Sequence, residues 1–312
     1  MPAQHPGSMA ESNRPFISII IPTYERPERL AVCLKSLGCL DYPCERYEVI
    51  VVDDGSRKPP ETVIAEFQGD FDVMLFTQIH AGPATARNTG AAQAKGEVLA
   101  FTDDDCEPAA DWLQTLAKRF AATPNCAIGG RAFNGLPGNP FSSASQLLID
   151  YLYNYYNSNH RRARFLASSN LALPAERFRT IGGFDTNFPC AAAEDRELCD
   201  RWRHHGYGMI YAPEVEVRHS HFLKFQTFCK QHFNYGRAAL YFHKLRSERD
   251  QGNMKVEPLR FYLNLLRYPF LHLHPRKSIL VAMLLLLSQT ANAAGFFWSA
   301  LIKPARRLKE IG

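Results

Sequence analysis

The chain has 312 residues, 46% of them hydrophobic, and a formal charge of +5 at neutral pH. That length and apolar content support a substantial core in one large domain or two moderate ones. The mild positive charge is spread along the chain rather than gathered in one block, so no nucleic-acid partner is expected. Eight cysteines, at positions 33, 39, 44, 106, 126, 190, 199 and 229, form no Cys-x-x-Cys pair, which excludes zinc-ribbon spacing and reads as reduced, intracellular thiols.

Residues 1–15 are polar, with Pro and Gly, and lack the apolar run of a signal peptide, so a disordered N-terminus is expected, with Met9 as an alternative start. Phe16 to Ile21 is a β-branched run ending at Pro22, a buried strand. Leu30, Leu34 and Leu37 have helical spacing, and Pro27 suits the first turn of that helix. Further strands are predicted over Tyr47–Val52, Asp72–Thr77 and Glu97–Phe101, and helices over Pro60–Phe67, Pro83–Ala94 and Asp111–Ala121. This alternation predicts βαβ units and a mostly parallel sheet.

Beyond it, Asn134–Ser143 is rich in Pro, Gly and Asn and reads as a loop or lid. Ser145–Asn159 carries tyrosines at 151, 153, 155 and 156 and reads as a surface helix facing an acceptor or a membrane, with an ordinary half-buried helix as the alternative. Glu194–His205 is a helix closed by Gly206. A cationic, aromatic segment runs from His219 to Arg246, and Ser247–Asn253 reads as a polar break. Residues 278–302 are long and apolar enough to cross a bilayer. Arg276 and Lys277 precede them, and Lys303, Arg306, Arg307 and Lys309 follow. Basic residues on both flanks suit a helix on or in the inner leaflet, with a buried core helix as the alternative.

The chemistry lies in three acidic sites at strand ends or a helix start. Asp103-Asp104-Asp105 follow directly on an apolar strand. Adjacent like charges call for a cation, and open α/β sheets keep their ligands at strand ends. Oxygen ligands suit Mg²⁺ or Mn²⁺, which suit a nucleotide diphosphate; an acidic solvated turn is the alternative. Asp105 is expected to bind the metal, with Asp103 or Asp104 on a ribose or a metal-bound water. Asp53-Asp54 end the second strand, where a carboxylate can accept the N3–H of a pyrimidine. Beside it, in Pro22-Thr23-Tyr24-Glu25, Tyr24 is placed to stack on a base and Glu25 to hold a ribose hydroxyl. Arg87 is expected on phosphate or against the acidic cluster. Glu194-Asp195 open a helix; they favour its dipole, and Asp195 can serve as a general base on an acceptor hydroxyl.

Taken together, Ile17–Tyr24, Val51-Val52-Asp53-Asp54-Gly55-Ser56, Ala86-Arg87-Asn88-Thr89-Gly90, Thr102–Asp105, Gly182-Gly183-Phe184-Asp185 and Glu194-Asp195 resemble the family 2 glycosyltransferases over about residues 16–212. The resemblance implies a GT-A fold, a Rossmann-like mixed sheet flanked by helices, and an inverting transferase using a nucleotide-sugar donor, UDP-sugar favoured, with Mn²⁺ or Mg²⁺. Carried over, Asp54 is the base-recognising carboxylate, Asp103 and Asp105 are the ends of a DxD-type motif, and Asp195 is the catalytic base. His219 resembles a further metal or diphosphate contact, with His221 as its competitor. No Gln-x-x-Arg-Trp follows Glu194-Asp195, where Gln231–Arg237 stand instead, and there is one apolar segment; both argue for single-sugar transfer rather than processive synthesis. Arg237 is a candidate for the diphosphate.

The expected organisation is a transferase domain over 16–246 and a C-terminal helical region over 247–312. The expected partners are a nucleotide-sugar donor, a lipid-linked or other cell-envelope glycan acceptor and the cytoplasmic face of the inner membrane. A nucleotidyltransferase and a non-catalytic nucleotide-sugar-binding scaffold are the competing readings.

Overall fold

A computed structural model describes residues 14–251, 254 and 256–302. The expectations for most of the N-terminus, for Asn253 and for the basic residues after 302 lie outside the described residues.

The first half alternates as predicted: β1 (Ile17–Thr23), α1 (Pro27–Leu37), β2 (Tyr47–Asp53), α2 (Glu61–Ala65), β3 (Val73–Thr77), α3 (Pro83–Gln93) and β4 (Val98–Thr102). Then follow β5 (Cys106–Pro108), α4 (Trp112–Ala122), β6 (Ala127–Asn134), α5 (Pro140–Tyr156), β7 (Asn170–Pro174), α6 (Ala175–Thr180), α7 (Glu194–His204) and β8 (Met209–His219). Three helices close the described chain: α8 (Phe225–Asp250), α9 (Leu259–His272) and α10 (Pro275–Leu301).

One sheet of eight strands runs β3-β2-β1-β4-β7-β6-β8-β5. Strands β1 to β4 pair in parallel, whereas β7 is antiparallel to both β4 and β6, so the sheet is mixed rather than mostly parallel. Every residue of β1, β2 and β4 is buried, which explains why they read as unbroken apolar runs: helices cover both faces. The chain winds outward from β1 through β2 to β3, then returns to β4 on the other side of β1. That reversal opens a crevice at the carboxyl ends of β1 and β4, where such sheets bind ligands. Thr23 stands opposite Asp53, and Ile20 opposite Phe101, so the acidic residues after β2 and β4 emerge on one edge.

Two further placements matter for that edge. Antiparallel β5–β8 pairing sets Cys106 opposite His219, and the Ser220 N–H donates to the Asp105 carbonyl at 2.8 Å. Helix α3 lies close on the sheet because Gly90 has no side chain: a Cβ there would sit 2.7 Å from the Ile20 side chain. Arg87 is carried on that same helix.

Three expectations change. The 134–143 segment is only half a loop: Pro140 starts α5, and the Asn139 side chain caps it by accepting from the Phe141 and Ser142 N–H groups at 2.9 and 3.0 Å. Tyr151, Tyr153 and Tyr156 are buried and Tyr155 is exposed, so α5 is packed on two sides: Tyr151 joins one apolar cluster, and Tyr153 and Tyr156 another. Ser247–Asp250 are the last turn of α8, not a break, since Arg246 and Arg249 tie that turn to Asp200 and Glu197 of α7. The expected domain division at 246 therefore falls inside a helix.

Helix α10 is, among the described residues, the one helix long and apolar enough to cross a membrane. It packs along α8 at a backbone-to-backbone crossing. A Cβ on Gly236 would lie 1.8 Å from the Asn292 carbonyl oxygen, and one on Gly295 would lie 1.9 Å from that of Phe233. Gly295→Leu should force these helices apart and lower Tm by roughly 5 °C through overpacking; an unchanged melt would show that the crossing is not tight.

Candidate active site

The carboxyl edge of the sheet gathers Asp103, Asp104 and Asp105 against several cations. Asp105 is almost wholly buried, and its carboxylate meets His219 Nε2 at 3.0 Å, Arg29 at 3.1 Å, and Arg26 and His221 Nδ1 both at 3.4 Å. Burial pushes its pKa up, but the hydrogen bonds and charges of His219 and His221 outweigh that and hold it well below the usual range. The same contact raises His219 against the opposing effect of its own burial. Asp104 accepts from the Thr23 hydroxyl at 2.8 Å and from Arg26 at 3.1 Å. Its burial, only partly offset by Arg26, lifts it to about 6. Asp104 is thus braced between β1 and α1 rather than offered to a ribose. Asp103 is the most open of the three, with a quarter of its side chain exposed.

Arg87 is buried and reaches both acidic sites. It donates to Asp103 at 2.7 Å and to Glu194 at 3.2 Å, and these two carboxylates keep it charged although burial opposes that. Its neighbour Asn88 pairs with both backbone groups of Phe184 at 2.8 Å, anchoring the Gly182–Asp185 turn. Helix α7 begins after Ala193, whose φ of 63° places a non-glycine residue in the left-handed region. Such strain is of order 1–3 kcal/mol, and it aims the first turn of α7 at the cavity. Asp195 accepts from the Arg196 N–H at 2.7 Å. Burial above all, then the Glu194 charge, raises Asp195 to about 7 despite Arg87. A carboxyl that changes charge near neutrality suits proton transfer.

At the β1–β2 end, Tyr24 is exposed and packs on His80, ring centroids 4.4 Å apart. Asp54 accepts from Gln78 Nε2 (2.7 Å), the Ala81 N–H (2.9 Å) and the Gly82 N–H (2.8 Å), with His80 Nδ1 at 2.9 Å. These contacts tie the 78–82 loop to the Asp54 carboxylate, which borders the cavity. Glu25, at φ 55°, turns away to accept from the Arg57 N–H at 3.0 Å, and does not line the cavity where a ribose would lie.

Pro22, Thr23, Tyr24, Asp54, Arg87, Asp103, Asp104, Asp105, Glu194, Asp195 and His219, all singled out in the sequence, border one cavity of about 1150 Å³. Arg237 does not border it and sits instead near Cys190. The competitor His221 does line it, bonded through Nε2 to Gln231 at 3.0 Å. Sequence reasoning missed Arg26 and Arg29, whose signal is an Arg-x-x-Arg pair just after the first strand, where a buried acidic triplet needs cations. It also missed His80 and His232; the latter is buried, and burial pushes it down to about 4.

Ligand atoms of Asp103, Asp105, Cys106 and His219 lie within 4.8 Å of one another. Burial keeps the Cys106 thiol protonated, which leaves two carboxylates and an imidazole, a donor set that suits a hard divalent ion.

A mixed sheet with a carboxylate-lined crevice at its switch point defines an α/β ligand-binding enzyme fold, and comparison makes the class specific. The profile of "Glycosyl transferase family 2" matches residues 18–179, and that of "Glycosyl transferase family group 2" matches residues 102–303. The chain belongs to the family 2 glycosyltransferases. It is similar to glycosyltransferase AglE of Haloferax volcanii, 27% identical over 206 residues (65% of this chain, 66% of that protein). It is also similar to the pre-mycofactocin glycosyltransferase of Mycobacterium tuberculosis, 27% identical over 241 residues (75% and 49%). The chain thus spans about half to two thirds of these relatives. Its fold is that of GT-A structures. A mannosyltransferase from Pyrobaculum calidifontis, solved with GDP-Man and Mn²⁺, superposes with a TM-score of 0.60 at 22% identity, over 97% of this chain and 85% of that one.

Arg87→Ala should strand Asp103 and Glu194 without their shared cation, lowering stability by about 3–5 kcal/mol in denaturant titration. Asp195 should then titrate above its present value near 7. Arg87→Lys should recover only part of the loss, because an ammonium does not fork between two carboxylates. Parent-like stability in Arg87→Ala would contradict the bridging role.

Proposed function

We propose that this chain transfers one sugar from a nucleoside-diphosphate sugar to an acceptor hydroxyl by direct displacement, inverting the anomeric carbon. The observation that carries this reading is a half-buried carboxyl, Asp195, that opens into the same cavity as the acid-and-arginine edge of β4 and is raised toward neutrality. The acceptor oxygen attacks the anomeric carbon as the bond from that carbon to the diphosphate oxygen breaks. The bonding pair leaves with the diphosphate, and the acceptor proton passes to Asp195. Glu194, held by Arg87, keeps negative charge beside Asp195 and so strengthens it as a base.

Asp103, Asp105 and His219 would hold Mn²⁺ or Mg²⁺, which supplies positive charge for the departing diphosphate when bound. Arg26 and Arg29 stand at the same carboxylate and add fixed positive charge there. Tyr24 and His80 offer the base a stacking surface, and Asp54 serves it by fixing the 78–82 loop. The resemblance to family 2 enzymes favours a UDP-sugar, and Asp54, which borders the cavity, stands beside the base-stacking surface.

The acceptor is proposed to be a lipid-linked or other envelope glycan, met at the cytoplasmic face of the membrane. Support comes from the corner of α9 and α10, where Leu263, Phe270, Leu271, Ile279 and Leu280 are exposed beside Arg267, Arg276 and Lys277. Apolar and basic side chains together suit an anionic bilayer surface. Gln289, Thr290 and Asn292 of α10 face the enzyme's own cavity, which favours a helix docked on the membrane over one that spans it.

Asp195→Asn should bind donor normally and lose transfer by roughly 10²–10⁴-fold. In the parent, transfer should fall as pH drops below about 7, because the protonated acid cannot take the acceptor's proton. Full turnover in Asp195→Asn would remove it as the base and favour a binding scaffold or another base. At the membrane, Arg276→Glu with Lys277→Glu should weaken binding to anionic vesicles by about tenfold or more in sedimentation; unchanged sedimentation would place the contact elsewhere.

A further inference from the structure

The cavity is larger than the roughly 300–1,000 Å³ usual for a small-molecule site. It has two parts. One lies along the ends of β1, β2 and β4, where the donor was placed above. The other continues past Asp195 between α5, α8 and α10.

That second arm is lined by polar atoms with no partner in the protein. His232 is 1% exposed and both its ring nitrogens are unpaired; Ser145 Oγ and His243 Nδ1 are also buried and unpaired. Buried polar groups are ordinarily hydrogen-bonded, so orphans on both α5 and α8 around the same arm mark the place of a ligand. A neutral imidazole offers one donor and one acceptor, as a hydroxyl does. His232 packs against Tyr235, ring centroids 5.4 Å apart, and Tyr235 feels the charges of Asp195 and Glu194. The orphans therefore begin beside the carboxyl that would take a proton.

Farther out the lining becomes aromatic: Phe242, Phe261, Tyr262 and Phe296. Val256 and Phe297 line the cavity and are 74% and 63% exposed, so the arm opens at the surface. The surface it reaches on α10 is apolar and carries exposed Met283, Leu286, Trp298 and Leu301. Gln289 and Asn292 interrupt the apolar run of α10, and they line the cavity. Polar positions in an otherwise apolar helix are thus accounted for by what the helix faces.

We propose that this arm is the acceptor site, and that it takes an amphipathic acceptor. Its hydroxylated head lies among His232, Ser145 and Asp195, and its single apolar chain leaves past Phe261 and Phe296 onto the outer face of α10. On this account α10 is a wall of the acceptor site as well as a membrane contact. The proposal rests on the glycosyltransferase reading and adds the residues that hold the acceptor's head and the path its apolar chain takes.

The test uses methyl, hexyl and octyl β-D-glucoside, below their micelle concentrations, titrated calorimetrically into the full chain. Binding of UDP- and GDP-sugars is measured alongside. Affinity should tighten at least tenfold from methyl to octyl, and Ala293→Phe, which fills the arm from α10, should reduce octyl binding to the methyl level. Phe296→Ala, which removes part of the wall, should weaken octyl binding severalfold and spare methyl binding. Equal affinity for the three glucosides, or octyl binding indifferent to both substitutions, would overturn the proposal while leaving the donor site standing. Failure of every nucleotide sugar to bind would instead remove the reading beneath it.

Discussion

The architecture of this protein turns on one buried guanidinium. Arg87 spans from Asp103, at the end of β4, to Glu194, at the start of α7. Without it, two acidic sites far apart in sequence would face each other across a cavity with no shared cation. Isolated buried charges are costly, so the buried guanidinium needs both carboxylates around it. It also couples them: the charge that steadies Asp103 is one of the influences that lower Asp195, while Glu194 raises it. The two acidic sites thus share one side chain.

The fold is arranged so that this side chain has no other place to go. Gly90 lets α3 lie flush on the sheet, and Asn88 clamps the turn leading toward α7. On the far side, β5–β8 pairing delivers His219 to Asp105 by backbone register rather than by side-chain search. The strained Ala193 completes the arrangement by turning the helix start into the cavity. Precision of this kind, carried by strands and helix starts rather than by free loops, is what a group-transfer site requires.

Much of this was legible in the chain. β1, β2 and β4 announce themselves because strands buried on both faces must be apolar throughout, and the carboxylates that follow stand out against those runs. What stayed hidden depended on partners distant in sequence. Nothing local shows that Asp54 holds Gln78, Ala81 and Gly82, so its part in fixing the 78–82 loop was not legible. Glu25 was likewise indistinguishable from a ribose ligand until its left-handed backbone and Arg57 were seen. The tyrosines of α5 looked like a surface because Tyr tolerates either environment, and α8 ran past its expected break because α7 supplied counter-charges that no local rule contains. In α10 the apolar run was plain, but the meaning of Gln289 and Asn292 needed the cavity.

The central claim is that the acidic edge of β4 is a metal-assisted seat for a sugar nucleotide. Calorimetric titration with UDP-, GDP- and dTDP-sugars, each with and without Mn²⁺, tests it most directly when run on the parent and on Asp105→Asn. The account predicts selection of one nucleotide, tight binding only with the metal, and loss of that metal dependence in Asp105→Asn. Donor binding that is indifferent to Mn²⁺ and to Asp105 would contradict it.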